Sequence, residues 1–300
     1  MSSDTALECY RKAGRIVGQV RRKVPGLVQE GNKLIDICEK VEDMIAQLGG
    51  KPAFPCNVDI NEVAAHYTSP LGDTSRVPKA SIVKVDFGVH IDGFIADSAV
   101  TVSNDPVHLA MVSTATEALR KALEIVRPGV RTSDVGALIQ QTIERRGFKP
   151  IWNLTGHVID RYTVHTGESI PNVGRMTGGK FKEGQICALE PFVTSSSAKG
   201  EVKDADETHI FRFLKRKGAS TPEGKRLITY LEEKFRTLPF AKRWLAESDF
   251  SLGQASAFEE LLENRCVVGY PVLTESSGEL VAQAEHTILV TGDGCETLTA

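Results

Sequence analysis

No stretch of this sequence approaches the ~18 consecutive apolar residues of a membrane-spanning helix. The opening segment MSSDTALECYRKAGRIVGQVRRKV lacks the apolar core of a secretory signal. A cytoplasmic location is therefore expected. Net charge is small: 36 lysines and arginines stand against 39 aspartates and glutamates, a formal total of −3. A nucleic-acid binder usually carries a basic excess, so no specific nucleic-acid partner is expected. No membrane partner is expected either. The six cysteines (Cys9, Cys38, Cys56, Cys187, Cys266 and Cys295) never come at CxxC spacing. In a reducing compartment they are expected to be buried free thiols. There is no repeat at a fixed period and no low-complexity tract.

What is present is the composition of a folded domain, 41% apolar and 25% charged over 300 residues. A chain this long buries roughly three quarters of its unfolded surface and needs no disulfide or structural metal to fold. Apolar residues at three- and four-residue steps predict helices from Glu8 to Val24 and from Val28 to Leu48, the second stopped by Gly49-Gly50. CNVDI, AAHYT and SIVKVDFGV read as strands. Asp92-Gly93 reads as a turn and FIADSAVTV as the return strand. A helix is expected from Pro106, capped by Asn104 or Asp105, and another from Thr132 or Ser133 to Gly147. Strand-like fragments fill Pro150 to Phe192 and the last 30 residues, with a helical stretch from about Ser195 to Arg265 between them. The fold class is α+β, because strands and helices come in runs without strict βαβ alternation.

Four acidic residues sit in otherwise apolar strands: Asp86 in IVKVDFGV, Asp97 in GFIADSAV, Glu190 in ICALEPF and Glu285 in VAQAEHTI. Burying a lone carboxylate costs several kcal/mol unless a cation or donor compensates it. A two-residue turn at Asp92-Gly93 puts Asp86 and Asp97 on one face, opposed or a diagonal step of roughly 7 Å apart. Two carboxylates that close do not both ionise cheaply without a cation between them. Carboxylate oxygens with an imidazole, here His157 in LTGHVID, suit divalent transition metals. Four carboxylates would balance two such ions. On pattern alone a second reading stays open, in which these are edge-strand acids facing solvent.

The stretches KPAFPCNVDINEVAAHYTSP, VKVDFGVHIDGFIADSAVTV, NLTGHVIDRYTVHTGESIPN, ALEPF and AEHTILV carry a closer likeness. The chain resembles the type II methionine aminopeptidases, in the archaeal form without a long N-terminal extension, over essentially its whole length. The resemblance implies the pita-bread (creatinase/aminopeptidase) fold. It would place a catalytic domain at 1–194 plus 266–300, interrupted by a helical insert subdomain at 195–265. It implies a dinuclear metal site held by Asp86, Asp97, His157, Glu190 and Glu285, with Asp97 and Glu285 bridging both ions. Mn, Fe, Co, Zn and Ni all fit such a donor set. His66 and His165 would contact substrate or the tetrahedral intermediate, either one donating a hydrogen bond to developing charge. Phe54, Phe192 and Tyr270 would line the pocket for the methionine side chain. Glu190 would also shuttle the proton. His90, His108, His209 and His286 match no role.

The implied activity is co-translational removal of the first methionine from nascent polypeptides whose second residue is small. The insert carries 13 basic and 12 acidic residues, a mixed solvated surface, although Arg212 to Lys217 is a basic cluster suited to transient ribosome contact. Nothing in the sequence demands more than a monomer. Two alternatives share the fold: an X-Pro dipeptidase or aminopeptidase P, and a non-catalytic ribosome-binding homologue. The former usually carry an additional N-terminal domain, and the latter lose the metal ligands.

Overall fold

The computed structural model describes residues 3–103, 105–246 and 255–300. The helix Ser3–Arg21 buries Ala13, Ile16, Val17 and Val20, the three- and four-residue steps that put one stripe on a core. Leu34–Gln47 buries Leu34, Ile37, Cys38, Val41 and Ile45 by the same rule. The chain between them makes only a short turn at Val24–Leu27, and the left-handed Gly31 delays the second helix to Leu34. Both helices share a core with a long hairpin, Ile82–Ile91 and Phe94–Ser103. Asp92 and Gly93 close it with φ of 52° and 90°, the mirror-image turn that Asp-Gly favours. Asn57–Ile60 pairs along the other edge of Ile82–Ile91, so that strand is interior to its sheet. The expected strand AAHYT is only Val63–Ala65, because His66 leaves it at φ 70°.

The second half repeats the theme of two helices over strands. Asp105 accepts a hydrogen bond from the Val107 N–H at 2.9 Å and starts a short 3-10 turn, Pro106–His108, leading into the helix Leu109–Ile125. The other cap considered, Asn104, lies outside the described residues. Thr132–Arg145 follows, and both helices share a core with Ile186–Leu189, Phe192–Ser195 and His286–Val290. Thr155–Ile159 pairs with Ile186–Leu189. Two chain segments run antiparallel through this half and break at the same level. Leu189 faces His286 and Phe192 faces Gln283, with Glu190-Pro191 and Ala284-Glu285 in the gap. Pro191 has no N–H to give a ladder, so the interruption falls there.

The stretch 195–265, expected to be helical, opens instead with a twelve-residue strand, Val202–Phe213, paired to Val267–Glu275. The run Ile210, Phe211, Phe213 suits a half-buried pleated surface, and acidic Asp204, Asp206 and Glu207 point to solvent. Helix begins at Pro222–Phe235, where the Thr221 hydroxyl caps the Gly224 N–H at 3.0 Å. That helix packs with Ala255–Glu263 in a separate core. The Arg243 guanidinium, 4% exposed, reaches out of the insert to Glu42, Thr68 and the Ser69 carbonyl. Cys38, Cys56, Cys187 and Cys266 are buried free thiols as expected, whereas Cys9 and Cys295 are half-buried. Among the described residues, no helix is long and apolar enough to cross a membrane.

Candidate metal centre

The hairpin register pairs Asp86 with Ala99 and Asp97 with Gly88. The two carboxylates are therefore one diagonal step apart on the same face, as strand alternation requires. Glu190 and Glu285 come from the paired breaks, and His157 from the middle of Thr155–Ile159. The halves are stitched together beside these residues. The Thr287 hydroxyl accepts from the Asp97 N–H at 2.7 Å and donates to the Asp97 carbonyl at 2.8 Å. The Ser98 hydroxyl donates to the Glu285 carbonyl at 2.7 Å. Arg21, at the end of the first helix, donates to Ser98 Oγ, the Ala99 carbonyl and the Glu285 carbonyl. Lys84 is fully buried and its Nζ donates to the carbonyls of Asn61 and Val281 at 3.0 and 2.9 Å. Burial brings its pKa down to about 8.

Asp97, His157 and Glu285 each offer a ligand atom, and these atoms lie within 4.8 Å of one another. His157 Nε2 stands 3.6 Å from Asp97 Oδ2 and 3.6 Å from Glu190 Oε1. Asp97 and Glu285 are buried, while Asp86 and Glu190 are half-buried. Neither pair is the solvent-facing edge acid of the second sequence reading. Asp86 Oδ1, Asp97 Oδ1 and Glu285 Oε2 are buried with no hydrogen-bond partner. Burial drives all four carboxyl groups upward, Asp86 to about 7. Neighbouring carboxylates push Asp97, Glu190 and Glu285 further the same way. Burial, and then His165, holds His157 well below the usual imidazole value, so it is a neutral nitrogen donor. Unsatisfied carboxylate oxygens converging on a neutral imidazole are what a divalent cation relieves, and the mixed N/O set suits a transition ion. The residues present fit a metal centre.

His165 lies against His157, with ring centroids 4.2 Å apart. Burial takes it down to about 4, with His66 and Arg212 pushing the same way. His66 Nδ1 meets the Pro271 carbonyl at 3.2 Å. A carbonyl only accepts, so Nδ1 carries the hydrogen. Burial lowers the His66 pKa from the usual imidazole value. All five acidic and imidazole candidates, both of these histidines, and Phe54, Phe192 and Tyr270 line one cavity of about 270 Å³.

A model of metallopeptidase family M24 matches residues 8–292. The chain belongs to metallopeptidase family M24. One M24 relative, a methionine aminopeptidase of Methanothermobacter thermautotrophicus, is 42% identical over 297 residues, covering 98% of this chain and 98% of its own. A methionine aminopeptidase structure from Thermotoga maritima aligns at TM-score 0.71 and 25% identity, over 98% of this chain and 96% of that one. The structure of a thermophilic Arx1 aligns at TM-score 0.83 and 20% identity, over 99% and 91%, a likeness of fold. The M24 pita-bread fold is thus the architecture of this chain.

Several residues lining this M24 cavity were missed in the sequence, Ile210, Pro239 and Asn57 among them. Ile210 comes from the strand read as helix, and Pro239 from the insert beyond it. Asn57, with Oδ1 buried and unpartnered, faces Asp86 across the ladder. The aromatic run IFRF was the available signal for the first. Asn57 had none, since its position depends on the register of Asn57–Ile60 against the hairpin. Gly88 has a packing reason: a Cβ there would lie 2.4 Å from the Phe54 ring, so glycine lets that ring lie on the hairpin.

Proposed function

We propose that this chain is a cytoplasmic, monomeric methionyl aminopeptidase that removes the first methionine from nascent polypeptides with a small second residue. The observation that carries this reading is the juxtaposition of the carboxylate–imidazole cluster with an apolar, aromatic-walled cavity in one site. Asp86, Asp97, His157, Glu190 and Glu285 would hold two divalent ions. When bound, such ions acidify water and polarise a carbonyl. Phe54, Phe192 and Tyr270 take the methionine side chain, together with Ile210. Glu190, its carboxyl raised by burial, accepts a proton from the attacking water and returns it to the leaving amine. His165 donates to the oxygen on which charge develops. His66 contacts the substrate beside the metal ligands and is the other candidate donor to that developing charge. The catalytic unit is assigned to 1–194 with 266–300, and the insert to 195–265, whose first strand completes the pocket.

The test is release of methionine from Met-Ala-Ser after chelation and stepwise return of single metals. Activity restored by two equivalents supports the reading. Cleavage of Xaa-Pro dipeptides instead, or no hydrolysis with any metal, overturns it. Glu190→Gln and Asp97→Asn should each abolish turnover in a folded protein. Ribosome contact through Arg212 to Lys217 is tested by neutralising the cluster, and unchanged co-sedimentation removes that partner.

A further inference from the structure

Gln283 ends the strand Val281–Gln283, two residues before Glu285, and is 1% exposed. Its backbone is pinned from both sides by one hydroxyl. The Gln283 N–H donates to Thr101 Oγ1 at 2.8 Å, and Thr101 Oγ1 donates to the Gln283 carbonyl at 2.5 Å. The side chain therefore leaves a fixed point. Its Nε2 donates to Glu190 Oε2 at 3.2 Å. Thr101 lies on the hairpin strand Phe94–Ser103, so the side chain reaches Glu190 from an anchor on the first half. Oε1 gains nothing in exchange, being buried without a partner. A position serving only packing would favour an apolar side chain of the same size, which leaves no polar atom stranded. Glu190 and Asp86 belong to different halves of the molecule and approach the cluster from opposite sides of the seam.

We propose that Gln283 is a positioning residue that sets the carboxylate of Glu190 for ion loading. The inference rests on the metal-centre reading above. Gln283 touches no substrate. It acts by fixing the rotamer of Glu190 from an anchor tied to the hairpin, so that the other Glu190 oxygen faces the remaining acids when an ion arrives. Outer partners of metal-holding side chains typically matter by about 10–100-fold in ion affinity.

The experiment is calorimetric titration of Mn²⁺ into the chelator-stripped full chain, comparing wild type, Gln283→Met and Gln283→Asn. Methionine keeps the volume and removes both donors. Asparagine keeps the amide and withdraws it by one methylene. The expected result is a loss of Mn²⁺ affinity by about 10–100-fold in Gln283→Met, with Gln283→Asn between it and wild type. The KM for a methionyl peptide at saturating Mn²⁺ should stay unchanged. A merely structural role would lower the melting temperature of the ion-free protein and leave affinities untouched. Wild-type Mn²⁺ affinity in either folded variant overturns the role of Gln283. Absence of Mn²⁺ binding by the wild type instead overturns the metal-centre reading itself.

Discussion

Replacing Thr287 with valine removes one hydroxyl and keeps the shape of the side chain. That hydroxyl is the partner of both Asp97 backbone groups, at 2.7 and 2.8 Å, and Thr287 is fully buried. The variant leaves an N–H and a carbonyl in the interior without a partner. Each stranded group costs about 1–3 kcal/mol, so the pair should cost roughly 2–6 kcal/mol. The assay is urea unfolding of the ion-free protein, with the midpoint falling and the slope unchanged. Thr287→Ser is the control. It keeps the hydroxyl and loses a methyl group, and should cost about 1 kcal/mol. Because Asp97 rides on the same backbone, ion affinity should fall in the valine variant and hold in the serine one. A loss below about 1 kcal/mol for Thr287→Val would refute the reasoning, since Asp97 would then have to be held by something other than this hydroxyl.

Glu42→Ala should cost about 3–5 kcal/mol, because it leaves the buried Arg243 guanidinium without its carboxylate. Pairing Glu42→Leu with Arg243→Met should recover most of that in urea unfolding, and failure to recover would show that the ion pair is not what fastens the insert. Stability of the ion-free protein should fall as pH rises from about 6.5 to about 7.5. Burial raises Asp86 to about 7 in the folded state, well above its unfolded value, so the folded state holds the extra proton and loses that advantage as pH passes 7. Asp86 alone accounts for about 1 kcal/mol over this window, and Asp97, Glu190 and Glu285 are shifted in the same direction. Buried histidines, lowered instead, oppose the trend below about pH 6.5, and Lys84, brought down to about 8 by burial, opposes it as pH passes 8. A flat or rising curve between about pH 6.5 and 7.5, or one that added Mn²⁺ leaves unchanged, contradicts this account. Ile210→Trp should reduce kcat/KM for Met-Ala-Ser by more than roughly 10-fold. Unchanged kinetics would remove the strand Val202–Phe213 from the pocket.

The hairpin could be read directly from the sequence, because Asp92-Gly93 fixes a two-residue turn and the turn fixes the diagonal between Asp86 and Asp97. Glu190 and Glu285 were visible as acids in apolar company. What held them in place was not visible: the matched breaks depend on pairing between segments some 95 residues apart in sequence. Local pattern also failed at Val202–Phe213. Its run of Asp and Glu lacks the apolar alternation of a strand, and only the partner strand Val267–Glu275 decides its conformation. Gln283 and Thr287 stand for a general case. Each is an ordinary polar residue in a strand, and its task is set by a neighbour more than ninety residues away.

The seam between the two halves also fixes an order of events during synthesis. Asp86 and Asp97 leave the ribosome 199 and 188 residues ahead of Glu285. At about 5–20 residues per second, that is roughly 10–40 s in which the hairpin exists without its partner strand. During this delay its carboxylates stay hydrated, since nothing has yet closed over them. Hydrolytic competence therefore arrives only when the second half docks. A half-made copy of this peptidase holds two acids in water and has no means of cutting the chains emerging around it.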